Sequence, residues 1–103
     1  MADNGALTET TYYIMLSLYR PLHGYGIMQR AAELSGGRVR LAAGTLYGAL
    51  NALADKGWIT LLPVEGRKKE YRLTPRGLEV LKIELARLRE LVASGDMVMK
   101  EEM

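Results

Sequence analysis

The residues whose chemistry is most readily interpreted lie in the middle of the chain, on one predicted helix. Residues 44–56 have helical spacing, because Leu46, Leu50 and Leu53 recur at intervals of four and three and would face a core. The helical repeat then turns the opposite face outward. That face carries small or hydrogen-bonding side chains, namely Gly44, Thr45, Gly48, Asn51 and Ala52, with Asp55 at its far end. Such a face suits close contact with the major groove of a nucleic-acid duplex.

Individual residues of this helix have distinct expected roles. Thr45 and Asn51 can hydrogen-bond to base edges, and asparagine pairs well with adenine. Gly48 costs a helix about 1 kcal/mol relative to alanine, which close approach to DNA, or to another helix of the fold, would explain. Tyr47 stands at the flank, where its hydroxyl suits a phosphate or sugar contact; a half-buried position in the core is the alternative.

A second set of residues forms a cationic tip. Strand-like runs at residues 58–63 and 68–73 flank a glycine-containing connection, which predicts a hairpin. Arg67, Lys68 and Lys69 lie at its tip and suit contact with phosphates. Hairpin tips are also charged to remain soluble and to block edge-to-edge pairing, which is the alternative interpretation.

Positive charge is concentrated in this half of the chain. Residues 38–76 contain eight basic and three acidic residues, a net charge of +5. The remainder contains six basic and nine acidic residues, a net charge of −3. This asymmetry is expected where a polyanion such as double-stranded DNA is contacted, and it fits a solvated basic face equally well.

Catalytic and metal-binding chemistry find little support. The chain has no cysteine, and its single histidine, His23, stands at a predicted helix start, where capping is the ordinary role. No phosphate-cradling glycine motif and no His/Asp cluster occurs. No run approaches the roughly 20 apolar residues of a membrane span. We therefore expect no catalytic residue, cofactor, metal or membrane partner, and a cytoplasmic location.

The elements that would position these residues form a mainly α (α+β) fold. Helices are predicted at residues 8–20, 24–34, 44–56 and 75–95, a short strand at 38–41, and the hairpin between the last two helices. Thr8 is the expected N-cap of the first helix, and Thr74 with Pro75 starts the last. This order is that of a winged helix-turn-helix over residues 7–74, followed by a C-terminal dimerisation helix. Residues 1–6 are expected to be disordered, and residues 96–103 to form a flexible tail.

The last helix predicts a homodimer. Leu78, Leu81, Leu85, Leu88 and Val92 repeat at intervals of three and four, the spacing of a two-helix seam. Tyr12, Leu16 and Tyr19 on the apolar first helix would complete the interface. The alternative is that the whole stripe packs on its own domain. A two-fold dimer would present two DNA-contacting helices to a pseudo-palindromic site.

A resemblance to a known family rests on four motifs: His23-Gly24-Tyr25-Gly26-Ile27, Gly44-Thr45-Leu46-Tyr47, Lys56-Gly57-Trp58-Ile59 and Tyr71-Arg72-Leu73-Thr74-Pro75-Arg76-Gly77. In this order and spacing, within residues 7–91, they resemble the PadR family of bacterial transcriptional regulators. The resemblance implies a winged-helix dimer that binds operator DNA, usually as a repressor, and that is often released by a small molecule.

Departures from the family pattern limit what the resemblance implies. Many members have proline where this chain has Gly48, so their sequence preference does not transfer. The single helix after the hairpin resembles the short branch, some of whose members bind flat aromatic compounds through aromatics on that helix. This chain has none there. An effector pocket would use Tyr12, Tyr13 and Tyr19, for which packing is the alternative.

A second function class remains open from the sequence. A winged-helix module could dock another protein through its hairpin and first helix, without contacting DNA. The small outward residues of the third helix and the cationic hairpin favour DNA binding.

Overall fold

Four helices and three strands make up the described part of the chain. The structure, a computed structural model, describes residues 5–62 and 69–101. The elements follow in the order α1 (Glu9–Ser17), β1 (Leu22–His23), α2 (Gly24–Leu34), α3 (Ala43–Asp55), β2 (Ile59–Leu62), β3 (Glu70–Leu73) and α4 (Pro75–Glu101). This is a winged helix-turn-helix with one long helix after the wing, so the predicted fold class is confirmed.

The wing is a small antiparallel sheet with the strand order β1-β3-β2. β2 and β3 pair as the predicted hairpin, with Ile59 opposite Leu73. β1 pairs with the other edge of β3, with Leu22 opposite Tyr71. β1 was not predicted, because two residues are too few to show an alternating pattern. Since β1 immediately precedes α2, its pairing ties the wing to the start of the helix-turn-helix. The connection predicted at residues 64–67 lies outside the described residues.

One hydrophobic core lies among the four helices and the wing. Its buried members are Ile14, Met15, Leu18, Ile27, Leu46, Leu50, Leu53, Ile59 and Leu81. The three inward leucines predicted on α3 are therefore confirmed, and each fully buried side chain of this kind contributes about 1.5–3 kcal/mol of transfer free energy. On α2, Ile27 and Ala31 are buried, whereas Leu34 is 37% exposed.

The side chains predicted to cap the first two helices do cap them. The Thr8 hydroxyl oxygen accepts a hydrogen bond from the Thr11 N–H at 3.1 Å. The His23 Nδ1 accepts from the Gly26 N–H at 3.2 Å, which satisfies one of the free donors at the start of α2. This bond assigns His23 the structural role expected for it.

The end of α3 and the start of α4 meet at Trp58. Gly57 has φ 78°, the left-handed conformation that glycine adopts without strain, and the Trp58 N–H donates to the Leu53 carbonyl at 3.1 Å to close α3. The Trp58 carbonyl accepts from the Thr74 N–H at 3.0 Å, and the Thr74 hydroxyl oxygen caps α4 by accepting from the Gly77 N–H, also at 3.0 Å. A Cβ at Gly77 would overlap the Trp58 carbonyl group, whose carbon would lie 2.8 Å away. The segment that follows α3 is therefore in direct backbone contact with the first turn of α4.

Two features of the first half of the chain differ from the prediction. Residues 38–41 form no strand, because their backbone is satisfied locally: the Val39 N–H donates to the Ser35 hydroxyl oxygen at 2.9 Å. α1 ends at Ser17 rather than at Arg20. The Tyr19 N–H donates to the carbonyl three residues earlier, which is the hydrogen-bond pattern of a 3₁₀ turn. Pro21 also disfavours helical geometry in the residue before it.

α4 is longer than predicted. It continues to Glu101 instead of ending near Gly95, so residues 96–101 belong to the helix, whereas a flexible tail was predicted there. Gly95 is not among the glycines with positive φ, and the helix formers Met97, Met99 and Lys100 follow it without a proline. The molecule is accordingly elongated, 59 × 27 × 25 Å. Its radius of gyration is 15.7 Å, whereas a compact domain of this length has about 13 Å.

Candidate nucleic-acid interface

The outer face of α3, made of Gly44, Thr45, Gly48, Asn51, Ala52 and Asp55, is exposed along its whole length. It is opposite the three buried leucines, as the helical repeat predicted. The structure therefore brings Gly44, Thr45, Gly48 and Asn51 together on one surface.

This face is also open to close approach. Within the described residues, no atom from elsewhere in the fold lies within 4 Å of the position that a Cβ would take at Gly44 or Gly48. No described helix of the same subunit therefore packs against Gly48, which was the alternative explanation for this glycine. A duplex groove accepts a helix only when the backbone comes near the base edges, and side chains of this size permit that.

Tyr47 lies between this face and the rest of the domain. The residue is 46% exposed, and its ring leans on Gly24, where a Cβ would come within 2.9 Å of the Tyr47 Cζ and still closer to the hydroxyl oxygen. Burial, and to a lesser extent the nearby phenol of Tyr47, raises the pKa of Tyr71 on β3. The Tyr47 hydroxyl therefore lies against the start of α2, although the residue is exposed and is not part of the hydrophobic core.

The cations of the wing are described only in part. Lys69 is exposed directly before β3, while Arg67 and Lys68 lie outside the described residues. Arg72 was not predicted to be part of the site, although it is exposed on β3. The alternation of side chains along the strand could have indicated that Arg72 faces outward. Lys56, at the end of α3, instead lies over the Trp58 ring, 4.7 Å from the centroid.

Part of the positive charge is already paired. Arg38 forms an ion pair with Glu9 on α1 that joins the α2–α3 connection to the first helix. Arg87 on α4 pairs with Glu84 at 2.7 Å through two nitrogens. These two arginines are held by neighbours in the fold, whereas Lys69 and Arg72 are the exposed cations in the described part of the wing.

Glu84 is a buried carboxylate with three donors. It is 3% exposed and accepts from the Arg87 guanidinium and, at 3.2 Å, from the Leu7 N–H. The hydrogen bonds from the Arg87 side chain, opposed by burial and helped by the Leu7 N–H, hold the pKa of Glu84 below its ordinary value. This cluster fastens the segment before α1 to the middle of α4.

The predicted interface residues of α4 fall into two groups. Leu81 is 5% exposed within the subunit core, so it is not available to a partner and was wrongly placed in the seam. Leu85 and Val92 are exposed, and Leu88 is half-buried. On α1, Tyr12 and Leu16 pack partly against the core.

Beyond the core, α4 carries an apolar surface without a cover in the described chain. Its distal face consists of Leu88, Leu91, Val92, Gly95, Val98 and Met99, which continue the direction in which Leu81 and Glu84 are buried. Leu91, Val92, Val98 and Met99 are all at least half exposed. No other described residue lies within 4 Å of a Cβ at Gly95.

The tyrosines considered for an effector pocket do not converge within the subunit. Tyr12 and Tyr13 meet edge to face, 5.8 Å apart, and line a cleft with Leu88 of α4. Tyr19 is 72% exposed and lines a different cleft, beside Arg72 of the wing. Within residues 5–62 and 69–101, no three His, Asp or Glu side chains are placed to hold a metal ion. None of the described helices is apolar enough over sufficient length to cross a membrane.

Comparisons with known proteins agree with this architecture. The family described as the transcriptional regulator PadR-like family matches residues 14–83. An uncharacterised 37.1 kDa protein in transposon Tn4556 of Streptomyces fradiae is 44% identical over 64 residues, which are 62% of this chain and only 18% of that protein. The chain thus matches less than a fifth of that relative's length.

Solved structures show the same fold. A PadR-like transcription factor from Bacteroides fragilis superposes with a TM-score of 0.72 at 29% identity, covering 85% of this chain and 87% of that one. Bacillus subtilis PadR, solved in complex with operator DNA, superposes with a TM-score of 0.63 at 31% identity. That likeness covers 73% of this chain and 45% of the Bacillus protein.

Proposed function

The chain belongs to the PadR-like family of transcriptional regulators, and we propose that it is a homodimeric repressor that binds a pseudo-palindromic operator in double-stranded DNA. The observation that carries this proposal is the open outer face of α3, on which small and hydrogen-bonding side chains are exposed together. A similar protein, Bacillus subtilis PadR, has been solved with operator DNA.

We assign base contacts to α3 and phosphate contacts to the wing. Thr45 and Asn51 would bond base edges, and Gly44 and Gly48 would allow the helix backbone to come close. Lys69, with Arg67 and Lys68 next to it in the chain, would contact phosphates, which position a protein on the duplex without reading sequence.

The dimer would form through the distal face of α4. Apolar side chains of the size of leucine and valine gain about 1.5–3 kcal/mol each on full burial, so several on one face favour a second copy as cover. Gly95, in the middle of this face, would let two helices approach closely. Leu85, Tyr12, Leu16 and Tyr19 remain predicted members of the interface. A two-fold axis would then set two half-sites about 34–36 Å apart, one turn of DNA.

Release by a small molecule is part of the proposal, with the family resemblance as its support. Since the two tyrosine clefts are separate within one subunit, an aromatic effector would bind at the α1–α4 cleft of Tyr12 and Tyr13, with Tyr19 contributing only across the dimer. Regulation of this kind needs binding alone, so we propose no catalytic step and no cofactor. The site of action would be the cytoplasm.

A gel-shift titration against the DNA upstream of the protein's own gene tests the proposal. Affinity should fall with salt at a slope near −0.9 per phosphate contact. Lys69→Ala should reduce that slope by about one contact for every sequence, whereas the control Lys82→Ala, an exposed cation on α4, should not. Asn51→Ala should cost about 1–3 kcal/mol and relax preference at particular base pairs.

Three outcomes count against the proposal. Weak, salt-insensitive binding to every duplex would favour a protein-interaction module instead. Identical sequence profiles for Lys69→Ala and Asn51→Ala would refute the division between wing and helix. A monomer in light scattering at the concentrations of the titration would refute the dimer.

A further inference from the structure

The ring of Tyr47 occupies a position that only a glycine at residue 24 allows. Gly24 is buried, and a Cβ there would meet the hydroxyl oxygen and Cζ of Tyr47, with Cε1 at 3.4 Å. Gly24 does not have positive φ, so its backbone conformation gives no reason for glycine. The reason visible in the structure is the space that the tyrosine ring fills.

Gly24 lies where the wing and the helix-turn-helix join. It follows β1 directly and is the first residue of α2. β1 pairs with β3, and Tyr71 of β3 is close enough for the Tyr47 phenol to affect its titration. The ring of Tyr47 thus touches the start of α2, directly after the wing strand β1, while its own backbone belongs to α3.

We propose that Tyr47 is a positioning residue for DNA binding: its ring, seated on Gly24 directly after β1, fixes the orientation of α3 relative to the wing. The inference rests on the proposed DNA-binding function and deepens it. α3 and the wing must reach the groove and the phosphates at the same time, so the angle between them decides how many contacts form together. A tyrosine ring suits this role, because its position depends on only two side-chain torsions.

This role differs from direct contact between the Tyr47 hydroxyl and DNA. In a direct contact the oxygen would carry the effect, and Gly24 would matter little. In the positioning role the ring carries the effect, and Gly24 matters as much as Tyr47. The two roles therefore predict different outcomes for the same pair of substitutions.

The experiment is a double-mutant cycle on the full-length protein, with Tyr47→Phe, Tyr47→Ala, Gly24→Ala and the combination of the last two. Affinity for the upstream DNA is measured at several salt concentrations. Gly26→Ala is the matched control, because it lies in the same motif and helix but would meet only the side chains of Leu22 and His23, at 3.3 Å or more.

The positioning role predicts a specific pattern. Tyr47→Ala and Gly24→Ala should each weaken binding about tenfold and lower the salt slope, while Tyr47→Phe and Gly26→Ala should stay within about threefold of the wild type. The double variant should bind DNA no more weakly than Tyr47→Ala. Without the Tyr47 ring, the methyl group added at residue 24 has no ring to displace. Additive losses would overturn the inference, as would Tyr47→Phe falling as far as Tyr47→Ala. If Gly24→Ala does not fold, the comparison of Tyr47→Phe with Tyr47→Ala still decides.

A measurement without DNA separates this inference from the proposed function. In protein labelled with ¹³C-tyrosine, Gly24→Ala should shift the ring resonances of Tyr47, whereas Gly26→Ala should leave them unchanged. If these changes occur while the wild type binds no DNA, the contact between Tyr47 and Gly24 exists and the proposed DNA-binding function is wrong. If the wild type binds DNA but the resonances do not change, the proposed contact is wrong.

Discussion

Replacing Gly48 by alanine should stabilise the protein and weaken its binding to DNA. Gly48 lies inside α3, is exposed, and has open space where the new methyl group would go. Alanine is better than glycine in a helix by about 0.8–1.0 kcal/mol. In a domain of roughly 100 residues, that gain raises the melting temperature by about 4–8 °C.

The effect on DNA binding has the opposite sign because the methyl group would stand on the outer face of α3. If this face enters the major groove, the helix must retreat or tilt, and a loss of about 1.4 kcal/mol would lower affinity tenfold. Stability is read from circular-dichroism melting, and affinity from fluorescence anisotropy of a labelled upstream fragment. Light scattering on the same samples checks that the assembly state is unchanged.

A control on the flank of α3 separates propensity from contact. Ala54→Gly removes a methyl group from an exposed position outside the outer face of α3. It should lower stability by up to about 1 kcal/mol and leave affinity unchanged. The reasoning is refuted if Gly48→Ala raises the melting temperature and binds DNA within about threefold of the wild type, since close approach at this residue would then be unnecessary.

Three further predictions follow from α4. Gly77→Ala should lower the melting temperature despite the higher helix propensity of alanine, because the new Cβ would overlap the Trp58 carbonyl group. Gly95→Ala should not lower the melting temperature of the monomer, because the space around residue 95 is open. Glu84→Gln should cost about 1–3 kcal/mol, as expected when a buried charge-assisted hydrogen bond is lost. Since the folded-state pKa of Glu84 is lowered, its contribution is present above the unfolded-state pKa and disappears as pH falls below about 4.5, so urea denaturation of wild type and variant should converge in acid. Val92→Glu should give monomers in light scattering while leaving the secondary structure unchanged; a dimer at micromolar concentration would contradict the proposed interface.

Periodic patterns predicted the elements that carry the candidate site. Leu46, Leu50 and Leu53 share one side of α3, and their burial determines which residues of the helix face outward. Capping was equally local, since Thr8 acts three residues along the chain. Features that depend on residues close in sequence are visible in the sequence, and the outer face of α3 is one of them.

Contacts between distant residues were not predictable in this way. Tyr47 could be assigned either to DNA or to the core, because its neighbour Gly24 is 23 residues away in the chain. Leu81 fits a two-helix seam as well as a core position, and the spacing of leucines does not say where the domain ends along α4. Gly95 has the form of a helix stop, but whether a glycine stops a helix depends on the residues that follow it.

The backbone contact at Trp58 has a consequence for how signals could pass through the molecule. The Trp58 carbonyl accepts a hydrogen bond from the Thr74 N–H and lies against Gly77, so the start of the long helix is held against the segment that follows α3. The long arm measures roughly 40 Å, so a rotation of about 7° at the pivot moves its tip by about 5 Å. A displacement of a given size therefore turns the helix through a larger angle when it acts near the pivot than when it acts at the tip.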